Sequence, residues 1–308
     1  MALRMIVLVK QVPDTKNITA QAMKEDGTVN RSALPAIFNP EDLNALEMAL
    51  AVRDQHGGEV TVVSMGPPSA AAVLREALMR GADRVALLSD RAFAVADTLA
   101  TAYALGCAIR ALGPFDLVFA GRQAIDGDTA QVGPQLAGAL EIPQLTYVKE
   151  ILELGDGHLK ARRLIEGGYE VVRARLPVLL TVVGEANEPR PRRAKRVARF
   201  KRARTRIEVR EAIALQLDPE KGKPDPRLLD ERAAAPLADL EARGLLIPVW
   251  APADIAADPA RCGAAGSPTK VKTIESIVLV AGEHKKVAPT KDGIAALMHE
   301  LAEDHVLD

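Results

Sequence analysis

The chain has 308 residues, 40 basic against 41 acidic side chains, and 48% apolar residues, so it can bury a sizeable core and carries no global field toward nucleic acid or membrane. Two cysteines far apart, Cys107 and Cys262, exclude a disulfide framework and a cysteine zinc site and fit a reducing compartment. The apolar run in MALRMIVLVK is too short for a signal peptide and no later segment offers the roughly 18 apolar residues of a membrane span, so the expectation is a soluble, cytoplasmic protein without direct membrane insertion; aromatics are only 3%, fewer than a base-stacking or sugar-binding protein usually needs.

Met5 to Val9 is a short β-branched run that reads as a buried strand. Asn39-Pro40-Glu41-Asp42 reads as a helix start, with a cap residue, a first-turn proline and acids facing the positive helix end. Leu43, Leu46, Leu50 and Val52 continue that helix to Gly57-Gly58. Val60 to Met65 is a second strand, and a helix capped by Ser69 runs to Arg80, with Gly81 as its stop. Arg84 to Leu88 is a third strand, Ala94 to Leu112 a long helix, Asp116 to Ala120 a fourth strand and Ala130 to Leu140 a fourth helix. Strands separated by helices of this length make parallel βαβ units, and ligands then bind beyond the carboxyl ends of the strands, after Val9, Met65, Leu88 and Ala120.

The second half changes character. Leu159 to Arg175 and Val178 to Val183 read as antiparallel strands, with Glu166-Gly167-Gly168 as a bend. Between Asn187 and Ile207 there are ten Lys or Arg. With Phe200 as their one aromatic and no nucleic-acid module, they read as a solvated basic loop or a docking surface for an acidic protein. Residues 219–235 mix proline, glycine and charge like a linker, Asp254 to Gly266 reads as irregular, and Asp292 to Asp304 as an amphipathic helix. The expected architecture is α/β: a mostly parallel, Rossmann-like sheet with helices on both faces, a small antiparallel segment and an extended C-terminal arm. The expected divisions are 1–190 (nucleotide-binding domain), 191–206 (basic loop) and 207–308 (C-terminal extension).

GRQAIDGDTAQVGP, Gly121 to Pro134, is the most informative stretch. It follows a strand and opens a helix. Gly121, Gly127 and Gly133 would let the backbone approach a ligand, and Asp128 or Thr129 would cap the helix, whose first amides suit a pyrophosphate. An ordinary capped loop is the plainer reading. Neither GxGxxG nor GxxxxGK[ST] is present. Asn39 is a helix cap, a border of the cleft, or both. Ser64-Met65-Gly66 is a strand end with a glycine turn, and Asp97, Thr98 and Thr101 either cap a helix or meet a ligand. His56, His158, His284, His299 and His305 lie outside these loops, and no metal-ligand spacing or nucleophilic triad is visible, so redox chemistry would have to come from a cofactor.

VKQVPDT (Val9 to Thr15), NPEDLNALEMAL (Asn39 to Leu50), MRGADRV (Met79 to Val85), DLVFAGRQAIDGDTAQVGPQ (Asp116 to Gln135), EGGYE (Glu166 to Glu170) and NEPRPR (Asn187 to Arg192) together resemble the beta subunit of electron-transfer flavoproteins over roughly the first 200 residues, and CGAAGSPTKV (Cys262 to Val271) is similar to that family's C-terminal arm. The resemblance implies a heterodimer with an alpha subunit. DGDTAQVGP (Asp126 to Pro134) is similar to the electron-bifurcating group, whose beta subunit holds FAD; the housekeeping group holds AMP there and has no NADH chemistry. The bifurcating reading implies NADH as hydride donor. It further implies a low-potential acceptor such as ferredoxin or flavodoxin, and onward transfer through the alpha-subunit FAD to an acyl-CoA dehydrogenase or a quinone oxidoreductase. Carried across, Leu8, Val9, Lys10 and Asn39 border the adenosine end, and Ser64, Met65 and Gly66 line the cleft. Asp97, Thr98 and Thr101 approach the flavin ring or phosphates. Ala120, Arg122, Gly127, Asp128, Thr129, Ala130, Gln131, Val132, Gly133 and Pro134 wrap the pyrophosphate and ribose, with Arg122 stabilising reduced flavin. Pro191 to Arg204 corresponds to the family's partner-recognition loop, with Ala194 where an exposed Leu is usual, and Leu217 to Ala260 looks like an insertion relative to the short housekeeping form.

Overall fold

A computed structural model describes residues 2–14, 34–217, 225–269 and 286–303. Thr15, 219–224, Lys270, Val271, His284, Asp304 and His305 lie outside them. In chain order the described elements begin with strands β1 (Arg4–Leu8), β2 (Gln11–Pro13) and β3 (Ala36–Phe38), helix α1 (Pro40–His56), β4 (Glu59–Met65), α2 (Ala71–Arg80), β5 (Arg84–Leu88), α3 (Thr98–Leu112), β6 (Leu117–Gly121) and α4 (Val132–Leu140). There follow β7 (Gln144–Gly155), β8 (His158–Ile165), β9 (Gly168–Arg175), β10 (Val178–Val182), α5 (Ala194–Phe200), β11 (Arg204–Thr205), α6 (Arg206–Leu217), α7 (Pro226–Ala242), β12 (Leu246–Ile247), β13 (Val249–Trp250), α8 (Gly263–Gly266) and α9 (Lys291–Glu303).

Nine strands form one sheet in the order β13-β5-β4-β1-β6-β10-β7-β8-β9. From β13 to β7 every pairing is parallel; β7, β8 and β9 are antiparallel. Alternation along the strands separates two apolar layers. Met5, Val7, Val60, Val62, Leu117 and Phe119 pack under α1 and α2, whereas Ile6, Leu8, Val63, Val118 and Ala120 pack under α3 and α4. Leu46 and Leu50 of α1 are fully buried, each worth about 1.5–3 kcal/mol. From β1 the chain winds outward through β4 to β5, then returns to lay β6 on the other side of β1. The switch in winding falls between β1 and β6, where an open α/β sheet offers its crevice.

The α/β architecture and the first four strand–helix pairs agree with the sequence reading, with boundaries moved by a few residues. The second half differs from it. Val178–Val182 is not antiparallel to its neighbours: it is a central strand parallel to both β6 and β7, and all five of its residues are buried. Its register with β7 contains an irregularity near Thr181. The described part of the expected linker is largely the first part of α7, which runs on past it and accommodates Pro236 inside the helix. Ser69 does not cap α2: a 3-10 turn over Pro68–Ala70 precedes the helix, and the Ser69 hydroxyl donates to Gln11 Oε1 at 2.9 Å. The C-terminal helix is present as α9, with Ile294 and Met298 exposed.

Candidate functional site

β1 and β6 are paired through Val7 and Phe119 and then diverge. Asp42, in the first turn of α1, fills the gap between them. Its Oδ2 accepts from Lys10 N at 2.8 Å and its Oδ1 from Gly121 N at 3.1 Å, so one carboxylate ties the two strand ends together. Gly121 is required here, because a Cβ would lie 2.4 Å from Asp42 Oδ1. Burial pushes the Asp42 carboxyl up to about 7, against hydrogen bonds from Asn39, Lys10 and Gly121 that favour the ionised form.

The loop from Arg122 to Gln131 crosses above this point and is fastened from below. Asn39, fully buried at the start of α1, makes no side-chain cap. Its Nδ2 donates to Gln123 O at 2.9 Å and its Oδ1 accepts from Ile125 N at 3.2 Å. Glu41 accepts from Gln123 N at 2.9 Å and pairs with Arg122 at 2.9 Å. Lys10 Nζ pairs with Asp126 at 2.7 Å, and Gln123 Nε2 donates to Asp128 at 3.0 Å. The loop ends with Asp128 (φ 47°) and Ala130 (φ 52°) in the left-handed region, followed by Gln131 in the helical region. Such alternation turns successive amides toward one side. The N–H groups of Thr129, Ala130, Gln131, Val132 and Gly133 find no acceptor among the described residues. They lie at the start of the nine-residue α4, beyond the carboxyl end of the sheet, and can therefore receive an anionic group.

Several expected roles change. Neither Asp128 nor Thr129 caps α4; Gln131 holds the N-cap position without a side-chain bond. The position where Gly133 lacks a side chain faces inward: a Cβ would lie 2.6 Å from Thr181 Cγ2, so the glycine lets α4 sit on β10. Gly127 lies outside the left-handed region and no described atom lies within 4 Å of where its Cβ would be. Pro134, in the first turn of α4, lacks an N–H that would have no partner there. The side chains of Leu8, Val9 and Ala120 belong to the core, leaving only backbone at the cleft. Ser64 is fully buried and its hydroxyl has no partner among the described residues, while Met65 and Gly66 are partly exposed at the end of β4.

The wall opposite is the start of α3. Asp97 caps it, accepting from Ala100 N at 2.9 Å, and its second oxygen accepts from Thr269 N at 3.0 Å. Desolvation works against the Asp97 carboxylate, yet these amides hold it below the usual carboxylate range. Ser267 Oγ accepts from Asp97 N at 2.8 Å, so the C-terminal segment is bound to the helix start. Thr98 Oγ1 donates to Gln131 Oε1 at 3.0 Å, joining the starts of α3 and α4, with the half-buried Thr101 one turn further on. The sequence alone does not reveal Ser267 and Thr269 as neighbours of Asp97, since about 170 residues separate them.

Arg122 is at the cleft, but its guanidinium is committed: the Glu41 hydrogen bond raises its pKa, and the group lies 5.6 Å from the Tyr147 ring centroid. The expected basic loop contains α5, fastened to α2. Arg196 Nε donates to Leu78 O at 2.6 Å, and Arg190 pairs with Glu47 and Asp54, both at 2.8 Å. No cluster of metal-ligating side chains occurs among the described residues, and no described helix is long and apolar enough to cross a membrane.

A doubly wound sheet with unpaired amides at its winding switch defines a nucleotide-binding α/β domain. The Electron transfer flavoprotein domain model matches residues 26–206, and the chain belongs to the electron transfer flavoprotein family, on its beta-subunit side. It is 41% identical to the electron transfer flavoprotein subunit beta of Clostridium acetobutylicum, over 99% of this chain and 100% of that one. It is 51% identical to Protein FixA of Azorhizobium caulinodans (61% of this chain, 68% of that one) and 50% identical to subunit CarD of the caffeyl-CoA reductase-Etf complex of Acetobacterium woodii (61% and 71%).

Proposed function

We propose that this chain holds FAD at the β1/β6 switch and works, with an alpha subunit, as the NADH-oxidising half of an electron-bifurcating flavoprotein. The observation that carries the nucleotide site is the run of amides from Thr129 to Gly133 without acceptors, presented by a loop that Asn39, Glu41 and Lys10 fix from below. FAD, when bound, supplies hydride acceptance and single-electron transfer; the chain's part is to hold and orient it. The loop and α4 amides receive the pyrophosphate, backbone at Leu8 to Lys10 borders the adenosine end, and Thr98 with Thr101 faces the remainder. The likeness to a subunit of a caffeyl-CoA reductase-Etf complex supports a role inside a larger redox assembly. In this reading electrons pass from NADH to ferredoxin or flavodoxin and, through the alpha-subunit FAD, to an acyl-CoA dehydrogenase or a quinone oxidoreductase, in the cytoplasm. Residues 1–190 form the cofactor domain, 191–206 the partner-recognition segment, and 207–308 the extension that docks on the alpha subunit.

The test is a cofactor count on the complex purified with its alpha subunit. Two FAD and no AMP per heterodimer is the expected result. One FAD and one AMP would make the chain a housekeeping carrier without NADH chemistry.

A further inference from the structure

The switch point contains a carboxylate that forms no ion pair among the described residues. Asp42 is buried and holds the amides of Lys10 and Gly121. The charged groups around it are already engaged. On the β1–β2 connection the Lys10 ammonium pairs with Asp126 in the loop above, and from there its charge only partly offsets the burial of Asp42. On α1, Glu41 is taken by Arg122, which also has Tyr147 of β7 and Glu185, beyond β10, nearby. Negative charge arriving on the loop above therefore acts on Asp42 across a buried floor, where no described cation forms an ion pair with it and Lys10 is shared with Asp126.

We propose that Asp42 is a positioning residue whose carboxyl takes a proton from solvent when an anionic nucleotide enters the cleft, so that nucleotide binding and protonation are coupled. The inference rests on the nucleotide reading given above. Protonated, Asp42 still accepts one amide through its carbonyl oxygen and the other through the remaining lone pair of its hydroxyl oxygen, so the strand ends stay joined while the buried negative charge is removed. Burial already brings this carboxyl to about 7, within reach of neutral pH. A unit negative charge about 10 Å away, at an effective dielectric near 20, adds about one further unit. Binding at about pH 7.5 then takes up roughly half a proton per site.

The experiment is isothermal titration calorimetry of the full chain, stripped of nucleotide, with FAD and separately with AMP. It is run from pH 6.5 to 8.5 in pairs of buffers of different protonation enthalpy. The FAD pyrophosphate has no group titrating in this range, so proton uptake on FAD binding reports the protein. The expected result is uptake greatest between pH 7 and 8, abolished in Asp42→Asn while nucleotide still binds. Binding with heats independent of buffer throughout overturns the coupling and leaves the nucleotide site standing, as does equal uptake in a folded Asp42→Asn. If neither nucleotide binds, the site reading itself is overturned and the coupling with it. If Asp42→Asn does not fold, the wild-type uptake profile decides alone.

Discussion

Replacing Gly133 with Ala tests how α4 is seated. The added Cβ would lie 2.6 Å from Thr181 Cγ2, well inside contact distance, and Thr181 is itself buried in the central strand β10. Thr181 cannot rotate freely, because its hydroxyl accepts from Tyr147 N at 3.2 Å at the irregularity between β7 and β10. The helix must therefore rise or the strand shift, at a cost of about 1–3 kcal/mol for overpacking, with at most about 1 kcal/mol returned by the helix preference of Ala over Gly. Thr181→Ser removes the offending methyl and keeps the hydroxyl; alone it loses about 1 kcal/mol of buried methyl. The double variant should be as stable as Thr181→Ser or better, giving a favourable coupling of about 1–2 kcal/mol in a double-mutant cycle. Guanidinium unfolding of the four proteins measures this directly. A Gly133→Ala chain as stable as wild type, or additive single effects, would refute the seating described here. Nucleotide affinity offers a second readout, since a displaced α4 carries its free amides with it.

Asn39→Ala removes two of the loop's side-chain anchors and leaves Gln123 O and Ile125 N without their partner; a loss of about 1–3 kcal/mol is expected, with proteolysis of the native chain appearing between 122 and 131, as mass spectrometry of the fragments would show. Gly127→Ala should change stability by less than about 0.5 kcal/mol by thermal melting, because its φ is not in the left-handed region and no described atom lies within 4 Å of the added Cβ; a larger loss would mean that the loop closes on itself there. Asp42 gives a signed pH effect. Its folded pKa, about 7, lies above the ordinary 3.8, so the native state holds the proton more tightly than the unfolded chain. The resulting stability is fully present below pH 3.8, falls as pH rises to about 7 and is then constant. Between pH 5 and 8 the wild type should lose up to about 3 kcal/mol relative to Asp42→Asn, and parallel pH–stability curves for the two would contradict the assignment.

The first half of the fold is legible in sequence because each strand is a short apolar run and each helix carries its own stop. The second half is not, for identifiable reasons. Gln144–Gly155 buries only Leu145 and Val148 within a charged stretch and so carries no clear strand signal in sequence, although it binds the antiparallel edge to the parallel core. Val178–Val182 follows an antiparallel hairpin in sequence but enters the core beside β6, a choice made by long-range pairing. At the site, the stretch Gly121 to Pro134 is identifiable locally, whereas the work of its residues is not. Gly121 and Gly133 serve Asp42 and Thr181, far from them in the chain, and no local pattern announces that. Asn39 has every local mark of a helix cap, yet its side chain goes to residues 84 and 86 positions away. Glu41 and Asp42 read as acids complementing a helix dipole; their contacts with Arg122, Lys10 and Gly121 appear only once β1 and β6 lie side by side.

The two-residue strand β13 matters for how the protein is made. It covers the outer edge of β5, from which it is separated by about 160 residues of chain. During synthesis at roughly 5–20 residues per second, β5 has emerged for about 8–30 s before its cover exists. For that interval the nascent chain presents an open parallel edge of apolar residues, Val85 to Leu88, the kind of surface that recruits other strands. A ribosome pause before Trp250 would lengthen that exposure, and synonymous codons between positions 200 and 250 are therefore expected to affect soluble yield more than the same changes near the C-terminus.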